Sequence, residues 1–148
     1  MVNSITPIAI GSDHAGFELK NKIIKHLESK GFTFDDKGCY SEDSIDYADF
    51  AHPVASQVEN NPGTKGILLC GSGNGINMTA NKHQGIRSAL CWTAEIAKLA
   101  REHNDANIVT IPARFISDEE AFAIVDIFFS TEFEGGRHQK RIEKIPCM

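Results

Sequence analysis

The chain has 148 residues, of which 41% are apolar and 24% charged, and its formal net charge is −5. These values are typical of one soluble globular domain with a full hydrophobic core, which we expect to span residues 1–148. The negative charge argues against a general nucleic-acid binder, because such proteins owe their affinity to an excess of Lys and Arg. No apolar run approaches the roughly 20 residues of a membrane span, and residues 1–11 lack the basic start and long apolar core of a secretion signal. We therefore expect a cytoplasmic protein that binds neither nucleic acid nor membrane.

Short apolar runs alternate with amphipathic stretches along the chain. The apolar runs predict five strands, at residues 7–11, 32–35, 66–69, 86–91 and 108–111. The stretches between and after them predict helices at residues 17–30, 47–58, from the glycine loop to about 82, 93–102, from 117 onwards and at 137–141. Strands that alternate with helices predict an α/β fold: a Rossmann-like, doubly wound, five-stranded parallel sheet in a three-layer α/β/α arrangement.

Two helices carry clear local signals. In the first, the helical period predicts that Leu19, Ile23 and Leu27 face the core, and that Lys20 and Lys22 face solvent. In the fifth, Ser117 followed by Glu120 three residues later predicts a capping box, and the helix should bury Ala121, Ile124, Val125 and Phe128.

The four cysteines are Cys39, Cys70, Cys91 and Cys147, and they form no CxxC pair and no His/Cys spacing typical of a metal site. No structural zinc is therefore expected, and in a reducing cytoplasm the cysteines should be free thiols. We expect Cys91 to be a small buried hydrophobic residue, and Cys39 and Cys147 to be incidental.

Polar residues follow three of the predicted strands. Asp13 and His14 come after the first strand, the segment 70–75 follows the third, and Arg114 follows the fifth. The carboxyl ends of parallel strands share one edge of the sheet, so these residues should converge there. Asp13 alone could also be no more than the cap of the helix that begins near residue 16.

The third strand ends in Cys70 and runs into Gly71-Ser72-Gly73-Asn74-Gly75. This G-x-G-x-G spacing fits neither the dinucleotide fingerprint G-x-G-x-x-G nor a P-loop, which requires Gly-Lys-Ser/Thr. What it predicts is a backbone nest at a helix start, suited to an anion or a developing oxyanion. Cys70 is then either a thiol whose thiolate form the loop favours, or the last buried residue of the strand.

The end of the fourth helix and the tail offer weaker signals. His103 could simply interact with the helix dipole, and Asn104 could be the helix cap. The segment Arg137-His138-Gln139-Lys140-Arg141 could be a solvated face. Because Arg137 and Arg141 are four residues apart, they could also clamp a phosphate together.

Eight motifs stand in order over nearly the whole chain: Gly11-Ser12-Asp13-His14-Ala15-Gly16, Asp36-Lys37-Gly38, Asp46-Tyr47, Cys70-Gly71-Ser72-Gly73-Asn74-Gly75, Ala80-Asn81-Lys82, Gly85-Ile86-Arg87, His103-Asn104-Asp105-Ala106-Asn107 and Glu134-Gly135-Gly136-Arg137-His138-Gln139-Lys140-Arg141. In this order they closely resemble the type B ribose-5-phosphate isomerases, a family that also contains the galactose-6-phosphate isomerase subunits. The resemblance implies a cofactor-independent aldose–ketose isomerase that converts ribose 5-phosphate to ribulose 5-phosphate.

The resemblance also implies a role for individual residues. Cys70 matches the base that moves a proton between C2 and C1 through an enediolate; members that use a glutamate instead carry it at the position of Ile76. His103 matches the residue that opens the furanose ring, with Asp13 assisting, and Ser72 could polarise the thiol. The remaining matches are substrate contacts: the loop residues Gly71, Gly73, Asn74 and Gly75, the sugar contact Asn104, the pocket residue Tyr47, the phosphate-binding Arg114, Arg137 and Arg141, and His14 and His138 at the pocket edge.

Members of the family form dimers or dimers of dimers whose active sites are completed by the neighbouring subunit, and the resemblance implies the same homo-oligomer here. Two alternatives stay open. The substrate could be a hexose 6-phosphate such as allose or galactose 6-phosphate, or the chain could be a sugar-phosphate-binding module without turnover. Neither a metal nor another cofactor is implied.

Overall fold

The computed structural model describes residues 6–147. Its sheet has five strands: β1 (Ile8–Ser12), β2 (Phe34–Asp36), β3 (Gly66–Cys70), β4 (Ser88–Leu90) and β5 (Ile108–Pro112). All neighbouring strands are parallel, in the order β2-β1-β3-β5-β4. The predicted five-stranded parallel sheet is confirmed.

In the described part of the chain, six helices surround the sheet: α1 (Phe17–Glu28), α2 (Ala48–Asn60), α3 (Asn74–Ala80), α4 (Ala94–Asn104), α5 (Asp118–Ser130) and α6 (Arg137–Ile142). A single 3₁₀ turn, His14–Gly16, precedes α1. One face of the sheet is covered by α1, α4 and α5 and the other by α2 and α3, while α6 packs against α4. This is the predicted three-layer α/β/α arrangement.

The central strands are buried on both faces because each face carries a helical layer. Along β3, Ile67 and Leu69 join the core under α1, α4 and α5, whereas Leu68 and Cys70 join the core under α2 and α3. The side chain of Cys70 is therefore directed to the α2–α3 side of the sheet. None of the helices within residues 6–147 is long and apolar enough to cross a membrane.

Helix ends follow the local chemistry of the sequence. The capping box is confirmed, since Ser117 N–H donates to Glu120 Oε1 at 2.9 Å and Glu120 N–H donates to Ser117 Oγ at 3.1 Å. At the end of α4, the prediction of Asn104 as the cap is wrong. Asp105 holds this position in the left-handed region, with φ 46°, and its N–H donates to Arg101 O at 3.2 Å.

The prediction that Lys20 faces solvent is also wrong. Its side chain is fully buried, and Nζ lies 2.7 Å from both carboxylate oxygens of Asp36 at the end of β2. The cation also lies over the rings of Phe17 and Tyr40, 5.7 and 5.5 Å from their centroids. A buried charge needs such partners, and a helical period cannot reveal a partner that comes from a distant strand.

Candidate active site

Three predicted site residues meet at the edge formed by the carboxyl ends of the strands, referred to below as the C-edge. Asp13 N–H donates to Leu69 O at 3.2 Å, and Arg114 N–H donates to Gly71 O at 3.0 Å. The Arg114 side chain lies over Gly71, where an added Cβ would stand 3.3 Å from Arg114 Cδ. The structure therefore brings Asp13, Cys70 and Arg114 together, as the strand ends predict.

Cys70 is the last residue of β3 and only 5% exposed. Its carbonyl accepts a hydrogen bond from Ala113 N at 2.9 Å, which ties it to the segment that leads to Arg114. The second interpretation of the sequence is confirmed, because Cys70 is the last buried residue of the strand and the glycine loop begins directly after it.

The glycine loop turns sharply from β3 into α3. Gly73 has φ +80°, a backbone conformation that favours glycine, and an added Cβ would also press against the end of the Leu90 side chain. Ser72 Oγ accepts a hydrogen bond from Asn74 N–H at 3.2 Å and so stabilises the start of α3. The ring of Tyr47 packs directly on Gly75, which has no Cβ to hold it away. The loop thus brings Tyr47 to the wall of the site.

Asp13 and His14 are fixed by the backbone around them. Asp13 Oδ1 accepts hydrogen bonds from Ala15 N at 2.9 Å and Gly16 N at 3.2 Å, so it does cap the 3₁₀ turn, as its alternative interpretation predicts. Ile45 N–H donates to His14 Nδ1 at 3.3 Å. An accepting Nδ1 cannot carry the proton, so the neutral ring presents Nε2–H as a donor.

The segment that supplies Ile45 and Tyr47 is anchored by a contact that the sequence did not reveal. Asp36, the partner of Lys20, also accepts from Gly38 N at 2.8 Å through Oδ1, and its carbonyl accepts from Tyr40 Oη at 2.9 Å. Asp36 belongs to the motif Asp36-Lys37-Gly38, and this motif was the only sign in the sequence that the residue matters. Lys20 and Asp36 thus hold the start of the loop over residues 37–47.

Five further predicted site residues lie at the opposite edge of the sheet, where the strands begin, referred to below as the N-edge. In a β–α–β crossover the helix runs back against the strands, so α4 ends at this edge. Asn104 O accepts a hydrogen bond from Nε of Arg87, the residue just before β4, at 2.9 Å. Glu134 N donates to Glu102 O at 3.1 Å, which brings α6 to the same place. Within one chain, five predicted site residues therefore lie at the opposite edge of the sheet from Cys70: His103, Asn104, Arg137, His138 and Arg141.

At the N-edge, His103 and His138 form a stacked pair. Their ring centroids are 4.3 Å apart and the rings are inclined by 15°. His138 is 5% exposed, and its Nε2 lies 3.3 Å from Glu134 Oε1. Arg137 and Arg141 are exposed on α6. Glu134 is a neighbour that sequence reasoning did not single out, although its i,i+4 spacing to His138 is visible.

The four cysteines are free thiols, but in different surroundings. Cys91 is fully buried, which confirms the expectation of a small buried hydrophobic residue, and burial raises its pKa to about 12. Cys39 is buried and donates to Ser41 O at 3.2 Å, whereas Cys147 is exposed.

Comparisons with known proteins agree with this architecture. A family model described as Ribose/Galactose Isomerase matches residues 8–145. The chain is 47% identical over 140 residues to a probable ribose-5-phosphate isomerase B of Mycoplasma pneumoniae, covering 94% of this chain and 92% of that protein. The crystal structure of a ribose 5-phosphate isomerase from Thermotoga maritima superposes with a TM-score of 0.93 at 51% identity, over 96% of this chain and 98% of the other.

A further structure is that of ribose-5-phosphate isomerase B from Mycoplasma genitalium with bound ribulose-5-phosphate. It superposes with a TM-score of 0.92 at 45% identity, covering 97% of this chain and 95% of that one. Matches of this extent and identity, together with the family model, show that the chain belongs to the ribose/galactose isomerase family.

Proposed function

We propose that this chain is a ribose-5-phosphate isomerase that interconverts ribose 5-phosphate and ribulose 5-phosphate, a reaction of the pentose phosphate pathway, in the cytoplasm. The observation that carries the proposal is the position of Cys70. It lies directly before the glycine loop, in which Gly73 has a left-handed backbone conformation, and beside the segment that holds Arg114. The ribulose-5-phosphate bound to the Mycoplasma genitalium relative supports this choice of substrate.

In the proposed mechanism Cys70 is the general base. The thiolate removes the proton from C2 of the open-chain aldose, and the thiol returns it to C1. The hydroxyl proton passes from O2 to O1 in the same conversion, so the carbonyl moves from C1 to C2 with no redox partner. The negative charge that builds up on the enediolate oxygens is stabilised by amides of Gly71, Gly73 and Gly75, the kind of preorganised donors that favour such intermediates. Ser72 orders the loop through Asn74.

Ring opening and phosphate binding are assigned to the other residues. His103 exchanges a proton with the ring oxygen, and Asp13 assists at the ring oxygens. Arg114, Arg137 and Arg141 bind the phosphate, with His14 and His138 beside them, and Asn104 and Tyr47 contact the sugar. The orientation of His14 supports this role, because its Nε2–H is free to donate to a phosphate oxygen while Nδ1 is held by Ile45.

These assignments require two copies of the chain, because Cys70 and His103 lie at opposite edges of one sheet. We propose a homodimer, or a dimer of dimers, in which the C-edge of one subunit meets the N-edge of its neighbour. The large apolar side chains of Trp92 and Phe115, which follow β4 and β5 at the C-edge, are 53% and 75% exposed, as expected for a surface that a second subunit covers.

Replacing Cys70 by alanine tests the mechanism. We expect kcat for ribose 5-phosphate to fall by about 10²–10⁴-fold, the usual contribution of a general base, while calorimetry shows that the substrate still binds. Solvent deuterium should no longer enter the bound sugar. Cys91→Ala is the matched control, since it removes a buried thiol from another strand end and should retain turnover. Unchanged turnover in Cys70→Ala would exclude Cys70 as the base.

The family description includes galactose as well as ribose, so the sugar is tested separately. We expect kcat/KM for ribose 5-phosphate to exceed that for allose 6-phosphate and galactose 6-phosphate when all are measured on one preparation. A higher value for a hexose phosphate would reassign the substrate and leave the proton-transfer chemistry in place.

A further inference from the structure

The stacked histidines at the N-edge belong to a cluster with the composition of a transition-metal site. His103, Glu134 and His138 each offer one ligand atom, and these three atoms lie within 4.8 Å of one another. Two imidazole nitrogens and one carboxylate oxygen are a common donor set for Zn²⁺ and similar ions. All three residues lie at the opposite edge of the sheet from Cys70 of the same chain.

A second observation points to a missing ligand. Only 5% of His138 is exposed. Its Nε2 is one of two buried side-chain nitrogen or oxygen atoms in residues 6–147 without a hydrogen-bond partner. Glu134 Oε1 lies 3.3 Å away but does not complete a hydrogen bond. A buried polar atom without a partner is destabilising, and a metal ion bound to its lone pair would supply that partner.

We propose that His103, Glu134 and His138 bind a divalent transition-metal ion of the Zn²⁺ class, and that the bound ion inhibits the isomerase by occupying His103. The inhibitory part rests on the proposed role of His103 in ring opening. Zn–N and Zn–O bonds of about 2.0–2.2 Å in a tetrahedron require ligand atoms roughly 3.4 Å apart. The partly exposed His103 and the exposed Glu134 have room to rotate and close the present spacing.

The surroundings make the site selective. Arg137, Lys140 and Arg141 stand on the same short helix as His138 and weaken the attraction for a cation that is held by charge alone. Mg²⁺ and Ca²⁺ prefer oxygen ligands and are held mainly by the charge of those ligands, so we do not expect them to bind at this site. An ion that forms bonds to imidazole nitrogen can bind despite this effect, and its fourth position stays open to water.

The test uses the full-length, EDTA-treated protein and Glu134→Gln, which keeps the shape of the side chain and removes the anionic ligand. By titration calorimetry, we expect Glu134→Gln to bind Zn²⁺ at least about tenfold more weakly than the parent protein. Glu132→Gln, an exposed neighbour outside the cluster, should bind Zn²⁺ like the parent. Without metal, Glu134→Gln should keep its kcat, while its inhibition constant for Zn²⁺ rises in parallel with the loss of affinity. Mg²⁺ should leave activity unchanged.

Equal Zn²⁺ affinity in Glu134→Gln and the parent would overturn the proposal, and so would a thiolate-to-metal absorption band with Co²⁺, which would place the ion on a cysteine. Activation by Zn²⁺ would overturn the inhibitory role. His138→Gln provides a second variant for the binding measurement, and it should lose affinity as Glu134→Gln does. If no variant or parent protein isomerises ribose 5-phosphate, the calorimetry still decides the metal site, and only the proposed function fails.

Discussion

At the scale of single residues, Cys70 and Cys91 stand at similar places in the chain and in different surroundings. Both come at the carboxyl end of a parallel strand, Cys70 as the last residue of β3 and Cys91 directly after β4. Cys70 opens onto the glycine loop, whereas Cys91 is fully buried in the core under α1, α4 and α5. Position relative to the loop, and not the residue type, distinguishes the proposed base from a core residue.

The raised pKa of Cys91 predicts a specific dependence of stability on pH. Burial raises this pKa from 9.0 in the unfolded chain to about 12 in the folded protein. Above pH 9 the unfolded chain loses the thiol proton and the folded protein keeps it, so the free energy of unfolding falls as the pH rises towards 12. The slope from this one group is at most about 1.4 kcal/mol per pH unit.

Urea denaturation of the parent protein and Cys91→Ala between pH 7 and 11 measures this effect. The variant loses some packing at every pH, but we expect the difference between the two proteins to shrink above pH 9. Curves that stay parallel over this range would show that the thiol of Cys91 ionises as readily in the folded protein as in the unfolded chain.

At the scale of elements, the loop over residues 37–47 depends on the ion pair between α1 and β2. Lys20 Nζ bonds both oxygens of Asp36, and Asp36 in turn holds Gly38 and Tyr40. The same loop supplies Ile45, which orients His14, and leads to Tyr47. A contact remote from the substrate therefore supports two residues of the proposed site.

We expect Lys20→Met to lower the free energy of unfolding by on the order of 2 kcal/mol. Removing one partner of a fully buried ion pair costs about 3–5 kcal/mol. The loss is smaller here because the Asp36 side chain keeps 30% exposure and its bond to Gly38. Chemical denaturation gives the value, and hydrogen exchange should show weaker protection at the Gly38 amide.

Lys22→Met is the control for this substitution. Lys22 lies two residues further along the same helix, where its pairs with Asp118 and Glu18 are exposed to solvent. Exposed pairs contribute little, so we expect no measurable change in stability. Equal effects of the two substitutions would mean that the Lys20–Asp36 pair does not anchor the loop.

The same elements show what could be predicted from the sequence. The capping box and the strand–glycine–helix turn were predictable because their partners lie within a few residues, and the backbone conformation of Gly73 favours glycine for a local reason. Lys20 was mispredicted because its partner is 16 residues away on another element. The resemblance already implied that a neighbouring subunit completes the active site. The position of His103 at the N-edge follows from the direction of α4, which runs back against the parallel strands.

At the scale of the whole molecule, the proposed site residues of one subunit fall into two groups at opposite edges of the sheet. Cys70 and Arg114 lie at the C-edge, and His103, Arg137 and Arg141 belong to the segments at the N-edge. In a homodimer with C-edge to N-edge contact, each active site takes one half from each subunit, because a two-fold axis repeats the same contact twice. This arrangement predicts that two inactive variants can restore each other.

Cys70→Ala lacks the proposed base at the C-edge, and His103→Gln lacks the proposed ring-opening residue at the N-edge. In a mixed dimer, one site combines the intact C-edge of the His103 variant with the intact N-edge of the Cys70 variant, and the other site carries both defects. Random reassociation of equal amounts makes about half of the dimers mixed, so we expect about a quarter of the parent activity. The assay is isomerisation of ribose 5-phosphate after joint denaturation and refolding.

Cys70→Ala mixed with Arg114→Gln is the matched control, because both defects lie at the C-edge. Every site in that mixture keeps one defective C-edge, whichever subunits meet, so refolding should give no recovery. Recovery only in the mixture of Cys70→Ala with His103→Gln would support an active site that combines the end of β3 in one subunit with the end of α4 in the other. If neither mixture recovers although both refold to dimers, Cys70 and His103 do not act in one shared site, and the proposed contact between the two edges is wrong.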